Sequence, residues 1–375
     1  MTHAHIDFET RSAVDLRKTG VYPYSEDPST SIWCAAYAAD DGPVLLWTPD
    51  SDEGDLKYLL KHCETATGHN ANFERMLHRG VLAPRFGIPE LPIEKWRCTM
   101  AQALAMSLPG SLDNAAAALG IDMQKDPKAY ASMIRMSKPR KTLSDGSHTW
   151  WAEPERLDQL YAYCKADVVQ ERELGKRLLP LRPAELKLWH LDQAINDRGV
   201  HVDTKLCHAA KKIVKATQEK LDKKMCEMTD WEVRSCSAVG QLTAFCRAHG
   251  VDTDSVAKDQ IDILLARDDL PDDVRAALEL RKLGSRASVA KIDALLIGMS
   301  NDGRAKGLLQ FHAASTGRWG GRRYQPQNLI RPQEGVDIDE MIDDVMTGDV
   351  DLIEMLYGDP LTAVANCLRG MVRAG

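Results

Sequence analysis

The chain has nine cysteines but no C-x-x-C pair. Positions 34, 63, 98, 164, 207, 226, 236, 246 and 367 follow no ligand or disulfide spacing. That argues against a zinc site or disulfide framework and for reduced, mostly buried thiols. There is no run of eighteen apolar residues, and no charged start leading into an apolar core, so neither a membrane span nor a signal peptide is expected. The cytoplasm is the expected compartment. Internal repeats and low-complexity tracts are also missing. From Glu334 to Asp359 there is no Lys or Arg against ten acids, so the net charge of -7 is confined to one segment and the rest of the chain stands at +3. A nucleic-acid partner is therefore not excluded by the total. Six basic residues against one acid run from Lys125 to Lys141, and six against none from Gly303 to Arg331. These two stretches are candidate phosphate-binding surfaces.

What is present divides the 375 residues into more than one core. Strand patterns cover His3 to Glu9, Ser31 to Ala38 and Pro43 to Thr48, with Asp40-Asp41-Gly42 as a tight turn. Helices are predicted over Asp55 to Cys63, over Asn70 to Arg79 (capped by Asn70 and closed by Gly80), over Thr99 to Met106 and over Leu112 to Leu119. A short strand is predicted over Thr65 to His69, and a long helix over Glu155 to Leu179. Beyond Pro183 the strand signal fades, and helical patterns dominate over Glu185 to Arg198, Asp203 to Met228, Ala238 to His249 and Pro271 to Leu296. The composition change places an α/β mixed-sheet domain over 1–180 and a mainly helical region over 181–375.

Asp7 and Glu9 stand two apart on the first strand, and Tyr163 and Asp167 four apart on the long helix. Each pair thus shares one face of its element. Carboxylates that converge repel one another, unless divalent ions about 4 Å apart turn them into a clamp on a phosphodiester. Asp7, Glu9 and Asp167 are therefore candidate ligands for hard cations, and Tyr163 is a candidate to orient the attacking water. Glu74, at a strand-to-helix junction, is the candidate fourth carboxylate. His69 reads as a satisfied core residue and Trp150-Trp151 as packing. Arg135, Lys138, Arg140 and Lys141 suit either strand contact or a solvated loop.

Residues 1 to about 180 resemble a DnaQ-like 3'-5' exonuclease domain. Asp7-Phe8-Glu9-Thr10 is similar to its D-x-E-T motif, and Asn70-Ala71-Asn72-Phe73-Glu74 to N-x-x-(F/Y)-D, with Glu where Asp is usual. Tyr163 to Asp167 matches the third motif. The resemblance implies a ribonuclease-H-like fold, two divalent cations (Mg²⁺ or Mn²⁺), and release of nucleoside 5'-monophosphates. It also implies a 3'-end site that includes Thr10, Asn70 and Phe73.

Glu185 to Asp203, with its core Ile195-Asn196-Asp197-Arg198-Gly199, resembles the entry to the polymerase region of phage-type family A DNA polymerases. Gln241-Leu242 and Gly284 to Lys291 are similar to parts of that family's thumb. Thr316-Gly317-Arg318, followed by Gln327-Asn328, resembles its T-G-R…Q-N element. The implied DNA contacts are Arg318, Arg322, Arg323, Gln327 and Asn328. The family's D-Y-S-x-(I/L)-E strand, Lys-rich fingers helix and late H-D-E do not occur, and Leu368 to Gly375 looks like the approach to the first palm strand. The expectation is thus a proofreading-type exonuclease with a thumb and the start of a palm, without polymerase activity of its own, in a bacterial or phage-infected cell. Its implied partners are single-stranded and primer-template DNA. The alternative is a non-catalytic DNA-binding subunit, or half of a split polymerase whose second chain carries palm and fingers.

Overall fold

The computed structural model describes residues 2–121, 127–284, 288–332 and 334–374. They form two compact units, 1–200 with 297–325, and 201–296 with 326–375. Both mix helix with strand, the second being mainly helical.

The first unit is built on a five-stranded sheet in the order β3-β2-β1-β4-β5. The strands are β1 His3–Arg11, β2 Ser31–Ala39, β3 Leu45–Trp47, β4 Thr65–Gly68 and β5 Trp96–Cys98. β1 runs antiparallel to β2 and parallel to β4. Strict alternation along β1 decides what each face does. Ala4, Ile6 and Phe8 are buried in a core with Trp47, Leu56, Leu60, Leu77 and Trp96. On the opposite face lie His3, His5, Asp7 and Glu9. There the small residues Cys34, Ala36 and Ala38 of β2 pack against Cys164 and Val168, so the helix Pro154–Arg177 lies close on the sheet. A register shift between Glu9 and Thr10 buries both side chains, as a bulge does when it re-aims a strand end.

Several expected boundaries move for local reasons. Asn70 does not cap a helix. It takes a left-handed backbone (φ 71°), and the helix Asn72–Leu77 starts after Ala71 with no side-chain cap. Gly80 does not end that helix either. The chain continues as a π-turn over His78–Leu82 and a last turn Ala83–Phe86, closed by left-handed Gly87. A Cβ at Gly80 would stand 2.4 Å from the Ser25 carbonyl oxygen, so close packing explains that glycine. The helix expected over Pro271 to Leu296 is found as Asp272–Gly284 and Ser288–Ile297, with 285–287 outside the described residues. Lys125 and Asp126 of the first basic run also lie outside them. The helix Pro127–Met136 and the ribbon Lys141–Thr142 with His148–Thr149 were not anticipated. Trp150 and Trp151 pack with Trp33, Met136 and Leu160, as their position before a helix suggested.

The first unit extends past the expected boundary at 180 because of buried polar clamps. Arg75 of the helix Asn72–Leu77 donates to Gln193 Oε1 at 2.9 Å and to Asp197 Oδ2 at 2.5 Å, while the Tyr22 hydroxyl donates to Asp197 Oδ1 at 2.8 Å. The helix Pro183–Arg198 is thereby tied to the sheet domain. From the same helix, Asn196 Oδ1 accepts from the Leu309 N–H at 2.9 Å and Asn196 Nδ2 donates to the Leu309 carbonyl at 3.0 Å. This holds the ribbon Leu309–Gln310 with Gly320–Gly321 to the unit. Asn196 is buried, so Asn196→Ala would orphan both Leu309 groups. We expect a loss of about 2–3 kcal/mol, read as a lower urea midpoint; an unchanged midpoint would mean that the ribbon does not depend on the clamp.

In the second unit the helix Thr204–Met228, capped by Asp203, packs against Ile338–Met346 and Pro360–Cys367. Val372–Arg373 pairs antiparallel with His201 and Val202. The acid-rich segment is helical because its acids act as caps. Asp337, Asp349 and Asp359 each accept backbone N–H bonds at a helix start.

Candidate metal centre

Asp7 and Glu9 on β1 and Asp167 on the long helix bring one oxygen each within 4.8 Å of one another. Glu9 and Asp167 are 8% and 9% exposed, a degree of burial that acids seldom reach alone. The Cys164 thiol donates to Asp7 Oδ2 at 3.4 Å and to the Asp7 carbonyl at 3.5 Å. Burial pushes that thiol well above its usual range, with Cys34 and the Asp7 charge adding to the effect, so it stays a neutral donor. Tyr163, one helical turn before Asp167, is buried on the same side of its helix.

Glu74 lies deeper, at 2% exposure, and its Oε2 has no hydrogen-bond partner among the described residues. Burial first and the Asp7 charge second hold its carboxyl well above the usual carboxylate range. The side chain fits because β4 ends in glycine, where a Cβ would stand 3.0 Å from Glu74 Oε2. An orphaned buried carboxylate oxygen beside an all-oxygen cluster is the donor chemistry of a hard divalent cation. The residues present therefore fit such an ion, which Asp7, Glu9 and Asp167 could hold.

Two residues near this cluster, His5 and Glu171, were not among the site residues expected from sequence. Glu171 lies one turn beyond Asp167, is 4% exposed, and accepts a hydrogen bond from His5 Nδ1 through Oε2 at 2.7 Å. The available signal was spacing: His5 precedes Asp7 by two on the strand, and Glu171 follows Asp167 by four on the helix. His69 bonds Thr99 Oγ1 and the Gly110 carbonyl, each at 3.0 Å, which suits a satisfied interior histidine.

Beside Glu9 opens a cavity of 330 Å³ whose wall includes Thr10, Tyr24, Asn70, Phe73 and Lys138. The Thr10 and Tyr24 hydroxyls are 2.8 Å apart. The structure thus gathers Thr10, Asn70 and Phe73 around one space next to the acids. The basic candidates are scattered. Arg318 is exposed on the turn at left-handed Gly317, and Arg323 Nη1 donates to the Lys18 carbonyl at 2.5 Å. Gln327 and Asn328 belong to the second unit. Arg135 and Arg140 lie over the Trp151 ring at 5.5 and 4.8 Å.

No protein-family model matches the chain. Over 367 residues it is 37% identical to a DNA polymerase of Bacillus phage SP02, an alignment covering 94% of this chain and 55% of that protein. Among solved structures, the POL domain of Pol1 from M. smegmatis, in complex with DNA primer-template and dNTP, is similar with a TM-score of 0.50 at 15% identity. That match covers 89% of this chain and 53% of the other, and at such identity it speaks for the fold alone. Among the described residues no helix is long and apolar enough to cross a membrane. The chain is similar to this phage DNA polymerase and spans about half of its length.

Proposed function

We propose that the first unit is a ribonuclease-H-like, metal-dependent 3'-5' DNA exonuclease of proofreading type, attached to the thumb and partial palm of a family A polymerase. The observation that carries this reading is the convergence of Asp7, Glu9 and Asp167, with buried Glu74 beside them. Two divalent cations, Mg²⁺ or Mn²⁺, would supply charge neutralisation for an in-line displacement at phosphorus. Asp7, Glu9 and Asp167 would hold them, and Glu74 would support the second. Thr10, Asn70 and Phe73 would seat the 3'-terminal nucleotide in the 330 Å³ cavity, and Tyr163 would orient the attacking water through its hydroxyl. The product would be a nucleoside 5'-monophosphate. The direct test is a 5'-labelled single strand incubated with the purified chain and Mg²⁺ or Mn²⁺. A ladder shortening one nucleotide at a time, with mononucleotides released and suppression by EDTA, is expected. Duplex binding without any ladder would favour the alternative, a DNA-holding subunit whose nuclease site is idle.

Tyr163→Phe removes one hydroxyl and no charge. It is expected to lower kcat about 10- to 100-fold while leaving the half-saturating metal concentration unchanged. A large rise in that concentration, with normal kcat at saturating metal, would make Tyr163 a ligand instead.

The DNA-binding role of Arg318, Arg322, Arg323, Gln327 and Asn328 rests on the six basic residues of 303–331 having no acid among them. Binding of primer-template DNA through them would weaken steeply with salt.

A further inference from the structure

Cys164 has no part in the reaction proposed above, yet it is fully buried against the residue on which the acids converge. It follows Tyr163 by one position and precedes Asp167 by three, on the side of the helix Pro154–Arg177 that packs on the sheet. The residue paired with Asp7 on β2 is Ala36, which has no polar group in its side chain, and with Cys34 and Ala38 it lets the helix come close. In that narrow space the Cys164 sulfur stands 3.4 Å from Asp7 Oδ2 and 3.5 Å from the Asp7 carbonyl oxygen. Cys34, paired with Glu9 in the register, hydrogen-bonds the same sulfur. A thiol has one proton, and an ionised carboxylate is the strongest of these acceptors. The Cys164 proton therefore points at Asp7, and Cys34 donates to Cys164. Because one sulfur touches both the side chain and the main chain of Asp7, it fixes the direction of the carboxylate relative to its own strand.

We propose that Cys164 is a positioning residue, whose thiol holds the Asp7 carboxylate in the direction that meets Glu9 and Asp167 and thereby sets the affinity of the cluster for a divalent cation. A sulfur donor suits this task. The S–H group is a weak donor, so it orients the carboxylate while drawing off little of the negative charge that a cation needs. An ammonium or guanidinium in the same place would compete with the cation for that charge. Groups that orient a metal ligand are commonly worth about 10- to 100-fold in metal affinity, and a weak donor belongs at the lower end of that range. The consequence for hydrolysis rests on the exonuclease reading above; the hold on Asp7 and its effect on cation binding do not.

The test uses the full chain, with Mn²⁺ binding followed through the EPR signal of the free ion, a readout that needs no activity. Cys164→Ala removes the donor, and Cys164→Ser returns one of similar shape. Cys164→Ala is expected to raise the Kd for Mn²⁺ about tenfold, and Cys164→Ser to bring it back within about threefold of the parent. The buried hydroxyl of Cys164→Ser should nonetheless leave its Tm no higher than that of Cys164→Ala. Affinity and stability then part, as they would not for a residue that only fills space. The S–H stretching band that Cys164→Ala loses should shift in the parent when Mn²⁺ or Mg²⁺ is added, because the cation draws charge from the acceptor. In digestion of single-stranded DNA, Cys164→Ala should raise the half-saturating metal concentration about tenfold and leave kcat at saturating metal within about threefold. If Cys164→Ala binds Mn²⁺ as the parent does, if affinity follows Tm in both variants, or if the band stays where it was, the positioning role is overturned, while digestion by the parent still supports the nuclease. If Mn²⁺ binding depends on Cys164 as expected but the parent digests nothing, the positioning role stands and the nuclease reading falls.

Discussion

Asp7→Ala will reduce metal-dependent digestion of single-stranded DNA by about 10³-fold or more, a loss of about 4 kcal/mol of transition-state stabilisation. Asp7 is the residue on which the cluster converges. Its oxygen lies within 4.8 Å of those of Glu9 and Asp167, and its charge is the second cause of the raised Glu74 carboxyl. On the proposed reading, removing it takes away a cation ligand, and it relieves repulsion among the remaining acids, so the metal-free protein should melt no lower than the parent. Loss of activity with an unchanged or raised Tm is therefore the signature of a ligand, and a core residue would lose both. Undiminished digestion by a folded Asp7→Ala chain would sink the metal assignment.

Glu74→Gln should show the opposite signs in stability and activity more strongly. The carboxyl is buried and held above its usual range, so in the absence of metal the native chain keeps a proton that the unfolded chain has lost. Metal-free stability thus falls as pH rises from the ordinary glutamate range toward the raised native value. An amide of the same shape has no such proton to lose. Glu74→Gln should stabilise the metal-free chain above that range by an amount of order 1 kcal/mol, or about 2–4 °C in Tm, and flatten its pH dependence. Exonuclease activity should fall about 100-fold, since on the proposed reading charge at this position would support the second cation. Glu74→Asp should stay within about tenfold of the parent, because it keeps the charge and shortens only the reach. Parent-like activity in Glu74→Gln would show Glu74 to be a structural acid, and the second cation would then need another carboxylate. Glu171, buried one turn beyond Asp167 and bonded to His5, would be the first to try.

Local periodicity made part of this protein legible without any structure. Alternation along His3 to Glu9 put Asp7 and Glu9 on one face, and the four-residue step from Tyr163 to Asp167 put both on one side of a helix. Such spacings depend only on backbone geometry, which is why they survive folding unchanged. The mixed sheet, the long helix and the helical second half were readable for the same reason. Contacts between residues far apart in sequence were not readable. Arg75 meets Gln193 and Asp197, and Asn196 meets Leu309, so the first unit takes in a helix and a ribbon that composition had assigned elsewhere. The left-handed turn at Asn70 and the π-turn after Leu77 follow from how the segment is packed, against which a helix pattern is only a weak local preference. Three of the acids of 334–359 cap helices whose apolar sides Met341, Ile353 and Val364 find a core, which composition does not disclose. Sequence by itself thus determined which side chains share a face of one element. Tertiary structure alone decided which faces meet, because burial and desolvation, the forces behind the Glu74 and Cys164 environments, exist only once distant segments have closed over them.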